Sequence, residues 1–229
     1  MRITLDPWGG DYGSQISTSQ TIDYEQTSAH VTGQQVEEGP WQPRVPMPGT
    51  VPDMIAVIDG VMRVDAPAII SDADARFLAL FGSYAAGAVV IDQRVKIIEE
   101  QLDRLFIVGG NQSGEDVTVA AGTGGKIPMR YRSVSASDPA PDALRESLMT
   151  EMRQAEIDLA RKLSGDGRLI LADGNLTFLS DSSSVVGVIK TIQRMYLAPK
   201  EAKILERLQP GERTPLFQFS GSSKRKSFE

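Results

Sequence analysis

Two short apolar runs that each end in Asp-Gly, MIAVIDG over residues 54–60 and RLILADG over residues 168–174, constrain this chain more than any other feature. A continuous apolar run of this length, bounded by turn-forming residues, has the pattern of a strand buried on both faces. An aspartate where the run ends presents its carboxylate at the edge of the sheet. The glycine after it lets the backbone turn away and leaves room for a ligand. Two such strands lying side by side would bring Asp59 and Asp173 within reach of one pair of divalent ions. Each Asp-Gly taken singly is also an ordinary turn sequence.

Composition narrows the chemistry those aspartates can do. The chain has no cysteine and a single histidine, His30. Disulfides, thiolate zinc sites and cysteine nucleophiles are thereby excluded, and His-rich metal sites and Ser-His-Asp catalysis have almost nothing to work with. Hydrolytic chemistry here must rest on carboxylates, whose hard oxygens suit Mg²⁺ or Mn²⁺. His30 itself lies in a polar stretch and reads as a surface histidine. No run of about 18 uncharged apolar residues spans a bilayer, and MRITLDPWGG has no apolar signal region, so the expectation is a soluble, cytoplasmic protein.

The net charge of −6 is unevenly placed. Residues 1–65 carry three Lys/Arg and nine Asp/Glu, whereas from residue 186 onward there are nine Lys/Arg and four Asp/Glu. A basic C-terminal surface could meet phosphate while the acidic end stays clear of it, and a solvated charged face gives the same pattern.

Residues 7–50 are rich in Gly, Ser, Thr, Gln and Pro and read as an irregular N-terminal arm (1–50), pinned to the domain by Trp8 and Trp41, with MRITL as a short edge strand. The domain proper is expected over 51–219, and 220–229 read as a disordered basic tail. MIAVID, VMRVDAPAII and FLALFGSYAAGAVVI read as a three-stranded meander, followed by a strand at 104–110 and a mobile Gly/Ser-rich loop over 111–125. Leu144, Leu148, Met152, Ala155, Leu159 and Leu163 then recur at helical spacing, with Asp138 or Asp142 as a cap and prolines 139 and 141 near the start. After the strand at 168–173, a second helix is predicted over 182–197, a short helix over 201–208 and a final strand over 214–219.

This order, a first strand carrying an aspartate, a meander, a helix with inward carboxylates and a strand ending in a second aspartate, resembles the ground plan of the ribonuclease H-like fold, a mixed α/β sheet flanked by helices. Within that fold the chain resembles the NurA nucleases. The matching stretches are DPWGGDYGS, VIDGVMRVDA, FGSYAAGAVV, RQAEIDLA, LILADGNLTFL, VVGVIKTIQRMYL and GERTPLFQF, in that order from residue 5 to 219. The resemblance implies a Mn²⁺-dependent (or Mg²⁺-dependent) nuclease acting on DNA ends and single strands, a homodimer, and a hexameric HerA-type ATPase as partner. By motif it implies Asp59, Glu156 and Asp173 as metal-binding catalytic carboxylates and Lys190 as a further catalytic residue.

Helical geometry alone leaves two glutamates open. At 100° per residue, Glu156 and Glu151 each lie about 70° from the centre of the apolar stripe, on opposite sides. Motif favours Glu156, and Glu151 stands as its rival. Lys190, Arg194 and Arg63 are candidate phosphate contacts, and each could equally be a solvated cation. NurA proteins continue past the GERTPLF segment into further strands and a closing helix, whereas this chain continues into SGSSKRKSFE. An open sheet edge after 214–219, covered by a dimer partner, is the corresponding expectation. Two other readings stand beside the nuclease: a catalytically impaired subunit that binds DNA and the ATPase, and a ribonuclease H-like enzyme acting on RNA.

Overall fold

The computed structural model describes residues 2–5, 34–47, 49, 52, 54–72, 75–92, 94–122, 124–125, 127–174, 184–189, 197–220 and 226–228. In chain order the strands are β1 (Arg2–Leu5), β2 (Gln34–Gln35), β3 (Ile55–Asp72), β4 (Ala75–Asp92), β5 (Arg94–Val108), β6 (Val117–Ala121), β7 (Ile127–Ser135), β8 (Leu169–Asp173), β9 (Val185–Val188), β10 (Phe217–Ser220) and β11 (Lys226–Phe228). Helix α1 spans Pro141–Leu163 and α2 spans Pro199–Ala202. Contacts divide the chain into two compact units. One comprises Met1–Gln15 with Pro52–Val188, the other Ile16–Val51 with Ile189–Glu229. This partition differs from a single domain over 51–219, because the segment after β9 packs with the arm.

The first unit is built on one sheet in the order β6-β7-β5-β4-β3-β8-β9, with β1 paired to the far half of β3. β3, β4 and β5 are antiparallel neighbours, and β8 and β9 then run parallel to β3. Three antiparallel strands continued by two parallel ones, reached through a helix, make a mixed α/β sheet compatible with the expected ribonuclease H-like fold. Leu144, Leu148, Ala155, Leu159 and Leu163 of α1 bury against Ala56, Ile58, Ala86, Ala88 and Ile170, so the helix covers the half of the sheet where β3 meets β8. Pro141 opens α1, where its missing N–H costs nothing. No side chain caps the helix; Asp138 instead accepts a bond from the Ala140 N–H, 2.8 Å, just ahead of the first turn. A second core of Ala68, Ile70, Phe81, Phe106, Val108 and Tyr131 lies under the other face, where Phe81 stacks on Phe106 at 4.5 Å.

Several expectations are corrected here. MIAVID and VMRVDAPAII are one strand, β3, with a bulge between Val64 and Ala66. Asp59-Gly60 therefore lies within a strand, not at a turn, because both residues keep antiparallel partners in Gly87 and Ala86. The strand expected over 104–110 starts at Arg94, and the loop expected over 111–125 contains β6, paired with the unanticipated β7. The helix expected over 182–197 begins instead as β9, whose Val185–Val188 pair with Ile170–Asp173; residues 190–196 lie outside those described. A parallel pairing to a strand already read outweighs the 3.6-residue spacing that suggested a helix.

In the second unit β10 lies between β2 and β11. The strand expected at 214–219 therefore has partners on both sides within the chain, and part of the expected disordered tail, Lys226–Phe228, pairs with it. An open edge there no longer calls for a dimer partner. Trp41 anchors this unit: its ring meets Phe217 edge-on at 5.9 Å and its Nε1 donates to the Glu201 carbonyl at 3.0 Å. Among the described residues no helix is long and apolar enough to cross a membrane.

Candidate active site

The parallel register of β3 and β8 pairs Ile58 with Ala172, so the next residues along, Asp59 and Asp173, sit side by side on adjacent strands. Adjacent strands lie about 4.8 Å apart. Both aspartates are exposed, while Ile58 and Ala172 just before them are buried. Beyond Asp173 the chain does turn: Gly174 adopts φ +79°, and its N–H donates to the Val188 carbonyl at 2.9 Å. The anticipated Asp-Gly turn thus holds at Asp173 and fails at Asp59.

Glu156 enters from α1. Its Oε1 occupies the space a side chain at position 60 would need: a Cβ built on Gly60 would come within 2.6 Å of it and within 3.0 Å of Met152 Cγ. The Gly60 N–H donates to Asp59 Oδ1 at 3.0 Å. A side chain at position 60 would displace the Glu156 carboxylate or press on Met152, so glycine there lets Glu156 lie against the strand beside Asp59. Glu156 is pushed from 4.5 up to about 7, first by burial, then by the negative charge of Asp59 and of Asp173, against the opposing pull of Arg153 and the Gly60 N–H.

Glu151 is placed differently. It pairs with Arg132 of β7 at 2.9 Å, and Arg132 also binds Asp103 of β5 at 3.1 Å. The Arg132 guanidinium is correspondingly held above its usual range. Of the two glutamates that periodicity could not separate, Glu156 is the one beside the aspartates.

The donor set is all carboxylate oxygen, the chemistry that suits a hard divalent cation, and the charge crowding at Glu156 is of the kind a cation relieves. The fit is partial: among the described residues no group of three or more His, Cys, Asp or Glu is drawn together closely enough to hold a metal ion. Strand alternation gives a physical reason. Ile58 packs beneath α1, so Asp59 leaves the strand on the other face, while Glu156 approaches on the α1 side over Gly60.

Arg63 is largely exposed, with a loose ion pair of 3.5 Å to Asp65. Lys190, Arg194, His30 and Trp8 lie outside the described residues. Sequence reasoning missed Asp65, which sits at the β3 bulge and accepts hydrogen bonds from Ser83 Oγ and from Tyr131 OH. The signal was present in VMRVDAPA, an aspartate inside an apolar strand, where partial burial favours hydrogen-bond partners.

No family model matches the chain, and no curated protein matches it. Among solved structures it is similar to the NurA nuclease from Sulfolobus solfataricus, at 18% identity and a TM-score of 0.34, over 73% of this chain. The chain spans 37% of the length of that nuclease, and the likeness is a distant one.

Proposed function

We propose that this protein is a metal-dependent nuclease in which Asp59, Glu156 and Asp173 hold Mn²⁺ or Mg²⁺ and DNA is the substrate. The observation that carries this reading is the Glu156 carboxylate packed over Gly60 and charge-coupled to Asp59 and Asp173, which lie side by side on adjoining strands. A bound divalent cation would supply positive charge to a phosphoryl oxygen and lower the pKa of its water. The chain's own residues do the rest. Asp59 and Asp173 present ionisable oxygens at the surface, and Gly60 fixes Glu156 against the strand so that its carboxylate need not reorganise when charge arrives. Glu156, whose carboxyl is raised to about 7 by burial and the neighbouring aspartates, would give up its proton as a cation binds. Arg63, Lys190 and Arg194 are the proposed phosphate contacts, and a homodimer served by a HerA-type ATPase in the cytoplasm is the proposed setting.

The test is a cleavage assay on single-stranded DNA, duplex DNA and RNA with Mn²⁺, with Mg²⁺ and with EDTA. Cleavage of DNA that requires either metal and stops in EDTA supports the proposal. Cleavage confined to RNA would reassign the substrate, and metal-independent cleavage would overturn the assignment of the carboxylates.

A further inference from the structure

The second unit contains a groove of about 640 Å³ that the proposed catalytic residues do not line. Its floor is apolar: Leu197, Ile204 and Phe217 are buried there, and Trp41 packs against them. Trp41 is held edge-on to Phe217 at 5.9 Å, with its Nε1 bound to the Glu201 carbonyl, so the floor is formed before any ligand arrives. The groove is open to solvent and has room for a large side chain.

One wall of this groove is cationic. Helix α2 runs on into a 3₁₀ turn over Leu205–Arg207, and the N–H groups of Ala202, Ile204 and Arg207 bond the carbonyls of Ala198, Glu201 and Ile204. This winding sets Lys200, Lys203 and Arg207 three and four residues apart along one side, each about 5–6 Å from the next. All three line the groove and are exposed. Among the described residues no carboxylate forms an ion pair with any of them. Glu201 lies on the same wall, which still leaves an excess of positive charge.

We infer that this groove docks an acidic segment of another protein, with one large apolar side chain on the Trp41–Ile204 floor and carboxylates along the Lys200–Lys203–Arg207 wall. The cation spacing suits carboxylates one helical turn apart, whereas a nucleotide concentrates its charge on adjoining phosphates. The remaining polar groups point the same way. Gln35 commits its amide N–H groups to the Glu37 and Gly39 carbonyls, at 2.6 and 2.7 Å, so its own side-chain carbonyl and the Glu201 carboxylate are left as acceptors. Peptide N–H groups satisfy such acceptors, and a phosphodiester backbone has no donor to offer them. Leu197 and Ile204 give a base no ring to stack on, but they suit the apolar anchor of a peptide. The inference is independent of the nuclease reading, because Asp59, Glu156 and Asp173 all belong to the first unit.

Binding is measured by fluorescence anisotropy with the full chain and three labelled helical peptides. The first carries glutamates one turn apart and a single phenylalanine, the second has serine in place of the phenylalanine, and the third has lysines in place of the glutamates. The first is expected to bind, the second about tenfold or more weaker for want of one buried ring, and the third not at all. These arms change the peptide and leave the protein's fold alone. On the protein side, the Lys200→Gln/Lys203→Gln/Arg207→Gln variant changes exposed positions only. It should weaken the acidic peptide about tenfold at low salt and remove most of the salt dependence of binding. No binding of the acidic peptide at about 1 mM would overturn the inference. So would equal binding of the serine or lysine peptide, or wild-type affinity in the triple variant. ATP and oligothymidylate serve as competitors: displacement of the acidic peptide by either at equal concentration would reassign the groove to a phosphate ligand.

Discussion

Glu151 and Glu156 lie on one helix, at equal angles from its apolar stripe, and the sheet beneath treats them in opposite ways. Glu151 meets a cation: Arg132 neutralises it and ties α1 to β7 and, through Asp103, to β5. Glu156 meets two anions and a backbone N–H, and burial with those charges raises it to about 7. The first arrangement is what a folded protein uses to hold a helix in place. The second costs stability as it stands, and it gives a return only if a positively charged ligand arrives between the carboxylates.

The largest effect expected from this contrast is on catalysis. Asp59→Asn and Asp173→Asn should each reduce metal-dependent cleavage by at least about a hundredfold, with folding intact by circular dichroism. Either variant cutting at the wild-type rate would break the pairing of the two strands as a site.

Next come the glutamates themselves. Glu156→Gln should lower cleavage by about tenfold or more, while Glu151→Gln changes it less than about twofold. Gly60→Ala sharpens the same comparison, because its Cβ would displace the Glu156 carboxylate without altering any charge. It should resemble Glu156→Gln in cleavage assays.

Stability should then separate the pair by pH. Glu156 binds its proton more tightly in the folded chain than in the unfolded one, with the pKa raised from 4.5 to about 7. The stability linked to that proton is full below about 4.5 and is lost as pH rises through about 7. Partial exposure of the group reduces the loss to on the order of 1–2 kcal/mol. Thermal denaturation should show a wild-type Tm that falls by a few degrees between those limits relative to Glu156→Gln. A constant difference across that range would mean that Asp59 and Asp173 do not load Glu156.

The smallest effect is at Glu151. Its ion pair with Arg132 is solvent-accessible, so Glu151→Gln should cost at most about 1 kcal/mol, read as a small fall in Tm that high salt abolishes in the wild type.

Much of this site could be read in the sequence because its signals are local. An apolar run ending in aspartate places Asp173 at the end of β8, and Gly174 with its positive φ provides the turn that Asp-Gly promised. The same dipeptide misled at Asp59. Nothing local says that β3 continues for 18 residues; that is set by its pairing with β4. The glutamates were undecidable for a similar reason, since the residue that claims Glu151 belongs to β7, a strand with too little apolar alternation to be seen beside its Gly-rich approach. β9 was read as a helix because Val185, Val188 and Ile189 fit either period, and only the partnership with β8 decides between them. The strand order followed from elements of clear type, whereas the rows across β3, β4 and β5 depend on register, which a bulge in β3 and another in β5 reset.

The most direct test of the central claim is Mn²⁺ binding by titration calorimetry on the wild type, Glu156→Gln and Glu151→Gln at a pH above about 7, where Glu156 is ionised. The account predicts that wild type and Glu151→Gln bind alike and that Glu156→Gln loses about tenfold or more in affinity. Equal Mn²⁺ affinity in all three proteins, or a loss confined to Glu151→Gln, would contradict it.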